Sequence, residues 1–190
     1  MTDNHVHYFL GIPLPQTIKK CLSQWSASMQ NIVHYKYWTH INDYHVTLLF
    51  LGAADDRKIE ALSDHIDKRV TTIQPFPMQL TEPGTFGSSQ RPRVLWAGVQ
   101  SDERLFALHR LINHICSEDG FEPEKRPYKP HITLAKKWGS RRGIDINDIF
   151  DVPLKACDIT EWLVSEVVLF KVQPQSEPRY QKVKAFQLGG

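Results

Sequence analysis

The tetrapeptide His-x-Thr-Leu occurs twice in this chain, as His45-Val46-Thr47-Leu48 and as His131-Ile132-Thr133-Leu134. At the chain's own composition roughly 0.04 copies would arise by chance, so two copies constrain both fold and chemistry. The runs that hold them, Tyr44–Leu51 closed by Gly52 and His131–Lys136 opened by Pro130, are short and β-branched or apolar, and read as strands. Residues i and i+2 of a strand share a face, roughly 6 to 7 Å apart, so histidine and threonine project together in each copy. Val46 and Ile132 then point the other way and anchor the strand in an apolar core.

The residue types suit phosphoryl chemistry. Imidazole titrates near pH 6.5, so of two histidines in one site one can act as acid and the other as base at the same pH. A threonine hydroxyl can hold a non-bridging phosphate oxygen while the bonds at phosphorus change. Two such pairs facing across a cleft place proton-transfer groups on opposite sides of one phosphorus, as in-line displacement requires. Neither motif contains a carboxylate, and no His-x-x-x-His or His-Glu pair falls on a helix, so the spacing does not indicate a catalytic metal. No cofactor is expected.

The remaining elements follow from periodicity and turn chemistry. His5–Ile12 reads as a strand ended by Pro13 and Pro15, and Gln16–Met29 as a helix with Ile18, Cys21, Leu22, Trp25 and Met29 on one face. Asp55–Val70 repeats the helical spacing, with Asp55 and Asp56 at its positive end. Pro75–Thr81 and Val94–Val99 read as strands joined by a loop. Ser101 is the expected N-cap of a helix through Ile115, and Ile159–Val172 and Tyr180–Leu188 supply the last strands. About seven short strands and three helices, not in strict alternation, indicate an α+β fold with helices packed on antiparallel sheets.

Composition narrows the class further. The 190 residues carry 23 Lys and Arg against 21 Asp and Glu, a net charge of +2, which excludes a histone-like or strongly membrane-binding protein. No apolar run approaches a membrane span, and the N-terminal residues do not form a secretory leader, so a cytoplasmic protein is expected. The three cysteines are far apart and in no C-x-x-C pair, which predicts reduced thiols with neither a zinc knuckle nor a disulfide framework.

With these motifs in view the chain resembles the 2H phosphoesterases, and among them the bacterial and archaeal RNA 2′,3′-cyclic phosphodiesterases, also called 2′-5′ RNA ligases. The likeness runs from Tyr8-Phe9 and Ile12-Pro-Leu-Pro15, through Trp38 and His45–Gly52, to Gly84-Thr-Phe86, Arg91–Trp96 and Pro130–Lys136. It departs at Lys136, where many relatives carry arginine and its bidentate fork. The resemblance implies one domain over residues 1–190, a bilobal pseudo-twofold fold with antiparallel sheets lining a central groove and helices packed outside. It also implies metal-independent hydrolysis of RNA 2′,3′-cyclic phosphate ends to 2′-phosphomonoesters, with His131 as proton acceptor, His45 as proton donor, and Thr47 and Thr133 on the phosphoryl oxygens. Physiological 2′-5′ ligation and non-catalytic binding of RNA ends are the alternatives.

Seven basic residues and no acidic one lie between Lys125 and Arg142, around the second motif, where positive charge would steer an anionic substrate. The expected partner is RNA with a 2′,3′-cyclic phosphate end or a small cyclic-phosphate nucleotide; no protein partner is implied. Candidate substrate-binding residues are Phe86, chosen on family position, with Arg126, Tyr128 and Lys136. The remaining histidines are expected to be structural.

Overall fold

In the computed structural model, residues 6–152, 154 and 160–190 are described. The N-terminal strand β1 (His7–Pro13) ends at Pro13 and Pro15, and helix α1 (Gln16–Met29) follows with the expected bounds. It buries Ile18, Leu22, Trp25 and Met29, the i, i+4, i+7, i+11 stripe of one helical face. Cys21 on the same helix is disulfide-bonded, which corrects the expectation of reduced thiols; Cys116 is free and buried.

Strand β2 (Tyr35–Trp38) is an element that the sequence patterns above do not include; a 3₁₀ turn at Ile41–Asp43 then leads into β3 (His45–Ala53), the first motif strand. Helix α2 (Asp56–Val70) is capped by the Asp55 carboxylate, which accepts the Lys58 N–H. The long hairpin β4 (Phe76–Gly87) and β5 (Pro92–Ser101) absorbs much of the stretch expected to be loop. Helix α3 (Glu103–Glu118) is capped by Asp102 rather than Ser101, because the Asp102 carboxylate reaches the Arg104 N–H. Strand β6 (His131–Trp138) is the second motif strand, and a single helical turn, α4 (Asn147–Phe150), sits in the loop after it. The final expected run is split at Ser165 into β7 (Glu161–Val164) and β8 (Glu166–Val172), followed by β9 (Tyr180–Gln187). Ile159, its expected start, lies outside the described residues.

Among the described residues every strand pair is antiparallel, and eight strands run in the order β7-β4-β5-β6-β3-β1-β8-β9, with β2 added on β6. The sheet is strongly curled. Its order is symmetric about the β6–β3 junction: each motif strand has three strands outside it. The two halves join at one registered pair, Val46 opposite Ile132. Beyond it β3 leaves the edge of β6, and β2 takes over that edge from Ala135 to Trp138.

The main core joins the helices to one face of the sheet and includes Val46, Ile132, Leu134, Ile18, Leu62 and Leu108, all at most 3% exposed. The other face carries a small separate cluster of Phe9, Val168 and Phe170 beside the motif strands. Among the described residues no helix is long and apolar enough to cross a membrane.

Candidate active site

Antiparallel pairing of Val46 with Ile132 puts His45 opposite Thr133 and Thr47 opposite His131. All four side chains share one face, with the histidines on a diagonal of roughly 7 to 8 Å. A β-bulge follows in each strand. The register on β1 skips Leu48, and that on β5 skips Leu134, so the alternation is reset and the next groove-facing residues are Phe50 and Lys136. The groove floor therefore reads Phe50, Thr47 with His131, His45 with Thr133, and Lys136.

The two imidazoles are held alike. His45 Nδ1 lies 2.7 Å from the carbonyl oxygen of Asp43, and His131 Nδ1 lies 2.7 Å from that of Lys129, each two residues upstream. A carbonyl only accepts, so both Nδ1 atoms carry the proton and both Nε2 atoms are left for the groove. In the neutral tautomer the Thr47 hydroxyl donates to His45 Nε2 at 3.0 Å.

The surroundings differ. His45 lies against Phe9, with ring centroids 4.6 Å apart, and takes the edge of Tyr180 at 5.2 Å and the Phe170 ring at 5.7 Å. Burial among these rings pushes its pKa down to about 4, with Lys136, His131 and Lys19 adding to the shift and the Asp43 carbonyl opposing it. His131 meets Phe86 edge-on at 5.0 Å and Trp96 at 6.2 Å, and burial, then Lys129 and Lys136, lowers its pKa as well. Gly11 makes room for His45: a Cβ there would stand 3.0 Å from the Val46 carbonyl oxygen and 3.3 Å from His45 Cδ2. Gly84 does the same for Trp96, whose ring atoms would lie 2.1 Å from a Cβ.

Of the candidate substrate-binding residues, Phe86 flanks His131 and carries the Lys129 ammonium 5.2 Å above its ring. Lys136 lies at the opposite end of the groove; burial and the neighbouring Arg179 lower its pKa. Tyr128 is placed as a support: its hydroxyl donates to the Thr47 carbonyl at 3.2 Å, and one face of its ring is stacked on His109 at 3.8 Å. Arg126 is held by Glu124 in its own loop, 83% exposed, and makes no contact with the quartet in the structure.

Sequence reading missed Asp43 and Tyr180. The Asp43 carboxylate is buried and accepts the backbone N–H groups of Arg179 at 2.9 Å and Tyr180 at 3.0 Å, pinning the start of β9 over His45. Its place two residues before His45 was the available signal, since the matching position before His131 is Lys129. Tyr180 was invisible because its contact with His45 joins distant parts of the chain. Among the described residues no three of His, Cys, Asp and Glu converge on a metal-sized site.

The curled sheet with its paired His-x-Thr strands is that of a 2H phosphoesterase. A model of the 2′-5′ RNA ligase superfamily matches residues 22–174. The RNA 2′,3′-cyclic phosphodiesterase of Bacillus subtilis is 33% identical over 188 residues, covering 99% of this chain and 100% of that protein. The protein of the same name from Geobacillus stearothermophilus is 32% identical over 184 residues, covering 97% of this chain; the chain spans 58% of that longer relative. Among solved structures, E. coli LigT complexed with 3′-AMP superposes with a TM-score of 0.77 at 23% identity, over 98% of this chain and 100% of that one. The chain belongs to the 2′-5′ RNA ligase superfamily.

Proposed function

We propose that the protein hydrolyses RNA 2′,3′-cyclic phosphate ends to 2′-phosphomonoesters by two-histidine acid–base catalysis, without a metal. The observation that carries this reading is the shared tethering of both Nδ1 atoms, which commits both Nε2 atoms to one groove beside two threonine hydroxyls. The name of the Bacillus subtilis relative, matched over its full length, supports hydrolysis of an RNA 2′,3′-cyclic phosphate.

The cyclic phosphate sits between the histidines. His131 Nε2 takes a proton from the attacking water, and the new P–O bond forms in line with the P–O3′ bond that breaks. His45 Nε2 delivers a proton to the departing 3′ oxygen, leaving the phosphate on the 2′ oxygen. Thr47 and Thr133 donate to the non-bridging oxygens, where charge builds up in the transition state. His45 is neutral in the free protein, because burial opposes its charge. A phosphodiester anion against Nε2 reverses that balance, since an opposite charge at contact favours the imidazolium.

The test is incubation with an oligoribonucleotide ending in a 2′,3′-cyclic phosphate, in EDTA, with identification of the product isomer. A 2′-phosphate made by the unaltered protein and not by His45→Ala or His131→Ala is the expected result. A 3′-phosphate, or no turnover by folded protein, overturns the reading. Joined RNA as the main product at realistic end concentrations would make ligation the reaction instead.

A further inference from the structure

At the His45 end of the groove, where β2 replaces β3 on the edge of β6, lies a pocket of about 230 Å³. It is smaller than the 300 Å³ or more of sites that enclose drug-sized ligands, and fits a phosphoryl group with part of a sugar. Lys36, Lys136 and Arg179 line it, and none of the three makes an ion pair among the described residues. Two carboxylates also line it. Asp43 has both oxygens engaged by backbone N–H groups, and Glu177 is exposed and makes no ion pair among the described residues. Trp38 and Tyr180 supply apolar wall.

Three cations against two carboxylates leave the lining with an excess of one positive charge, which suits an anion, and Lys136 already feels Arg179. The direction of the substrate follows from the acid–base assignment above, on which this inference rests. The 3′ oxygen departs on the His45 side, so the ribose lies on that side and its 5′ substituent extends away from His131, toward Lys136.

We propose that this pocket binds the phosphoryl group on the 5′ side of the terminal ribose. The preferred substrate class is then an RNA chain or nucleotide bearing a 5′-phosphate, not a bare nucleoside cyclic phosphate. Lys36 and Arg179 are the specificity residues, and Lys136 bridges the pocket to the catalytic quartet.

Binding of adenosine 2′-monophosphate and adenosine 2′,5′-bisphosphate is compared by calorimetry, alongside turnover of 2′,3′-cyclic AMP with and without a 5′-phosphate. The expected result is at least tenfold tighter binding of the bisphosphate and a similar gain in kcat/KM. Arg179→Gln with Lys36→Gln should reduce both gains to about twofold or less, whereas Lys125→Gln, on the basic loop outside the pocket, should leave them intact. Equal affinities for the two ligands overturn the subsite, as does a gain lost as readily in Lys125→Gln, which would mark a diffuse field. Absence of turnover with the binding gain retained would sink the phosphodiesterase reading while keeping the subsite; turnover without the gain does the reverse.

Discussion

Val46 faces Ile132 across the antiparallel junction of β3 and β6, and this pairing sets the diagonal of the two histidines. A slip of one residue in either strand would turn its histidine and threonine into the core, so the apolar residue inside each motif acts as a register key. Both are fully buried. Within this frame His45→Ala and His131→Ala should each lower kcat by about 10² to 10⁴. The double variant should be little worse than either single, because the two groups act in one step. Rates in EDTA should match those without it. Full activity in His131→Ala would discard the acid–base scheme.

The pH dependence follows from the two lowered histidine pKa values. In the free protein His45 loses its proton above about pH 4 and His131 titrates below its ordinary 6.5. The kcat/KM profile reports the free protein and the kcat profile the complex. Because the bound anion raises the His45 pKa, the basic limb of kcat should lie at higher pH than that of kcat/KM. The two histidines interact, so the limbs belong to the pair. Coincident limbs for the two parameters would contradict the anion effect.

The same shift is linked to stability. Between about pH 4 and 6.5 the unfolded chain binds more protons at His45 than the folded one, so stability rises with pH across that window. It is fully present above 6.5 and is lost as the pH falls toward 4. Urea unfolding should show a loss of up to about 2 kcal/mol at pH 5 relative to pH 7 from this group. His45→Gln should flatten that slope. An unchanged slope in the variant would remove His45 as its source.

Much of this was legible in the sequence, because the motif strands and the amphipathic helices are decided by local pattern. Helix α1 keeps its expected bounds because Pro15 sets its start and the apolar spacing sets its face. What was not legible depends on distant partners. β2 is a strand because the free edge of β6 receives it; its Tyr-Lys-Tyr-Trp run has strand-forming residue types but is too short to decide the matter locally. The β4–β5 hairpin extends through Glu82–Gly87, rich in turn formers, because the β5 ladder and the room left by Gly84 for Trp96 outweigh local preference. The bulges at Leu48 and Leu134 belong to the same class: plain alternation would have sent Phe50 to the core, yet it is 61% exposed on the groove face.

Asp43 should prove a positioning residue. Asp43→Asn keeps one acceptor oxygen but sets an amide NH₂ against a backbone N–H at the start of β9, costing about 1 to 3 kcal/mol. Freed from that clamp, Tyr180 no longer covers His45, and solvent reaches the imidazole. The variant should therefore lower kcat more than it raises KM and shift the His45 titration upward, which an NMR titration of its Cε1 proton would follow. A destabilised variant with an unshifted His45 titration would leave Asp43 a purely structural role.

Gly11 offers a test of how closely the site is packed. Its backbone needs no left-handed conformation, so an alanine is unstrained there, and the cost comes from contact alone. The new Cβ would press on the Val46 carbonyl at 3.0 Å and on His45 Cδ2 at 3.3 Å. The carbonyl is fixed at the β3–β6 junction, so the imidazole is the part free to move. A displacement of a few tenths of an ångström leaves the core intact but lengthens the proton path to the leaving oxygen, and misplacement on the scale of 1 Å costs up to about 10² in rate. Gly11→Ala should then lose about tenfold in kcat while its urea midpoint falls by the equivalent of about 1 kcal/mol or less. Gly84→Ala, whose Cβ would collide with Trp96, should instead lose stability first, because a whole indole ring must shift to admit it. If Gly11→Ala keeps full activity, His45 does not need the position it occupies here for proton delivery.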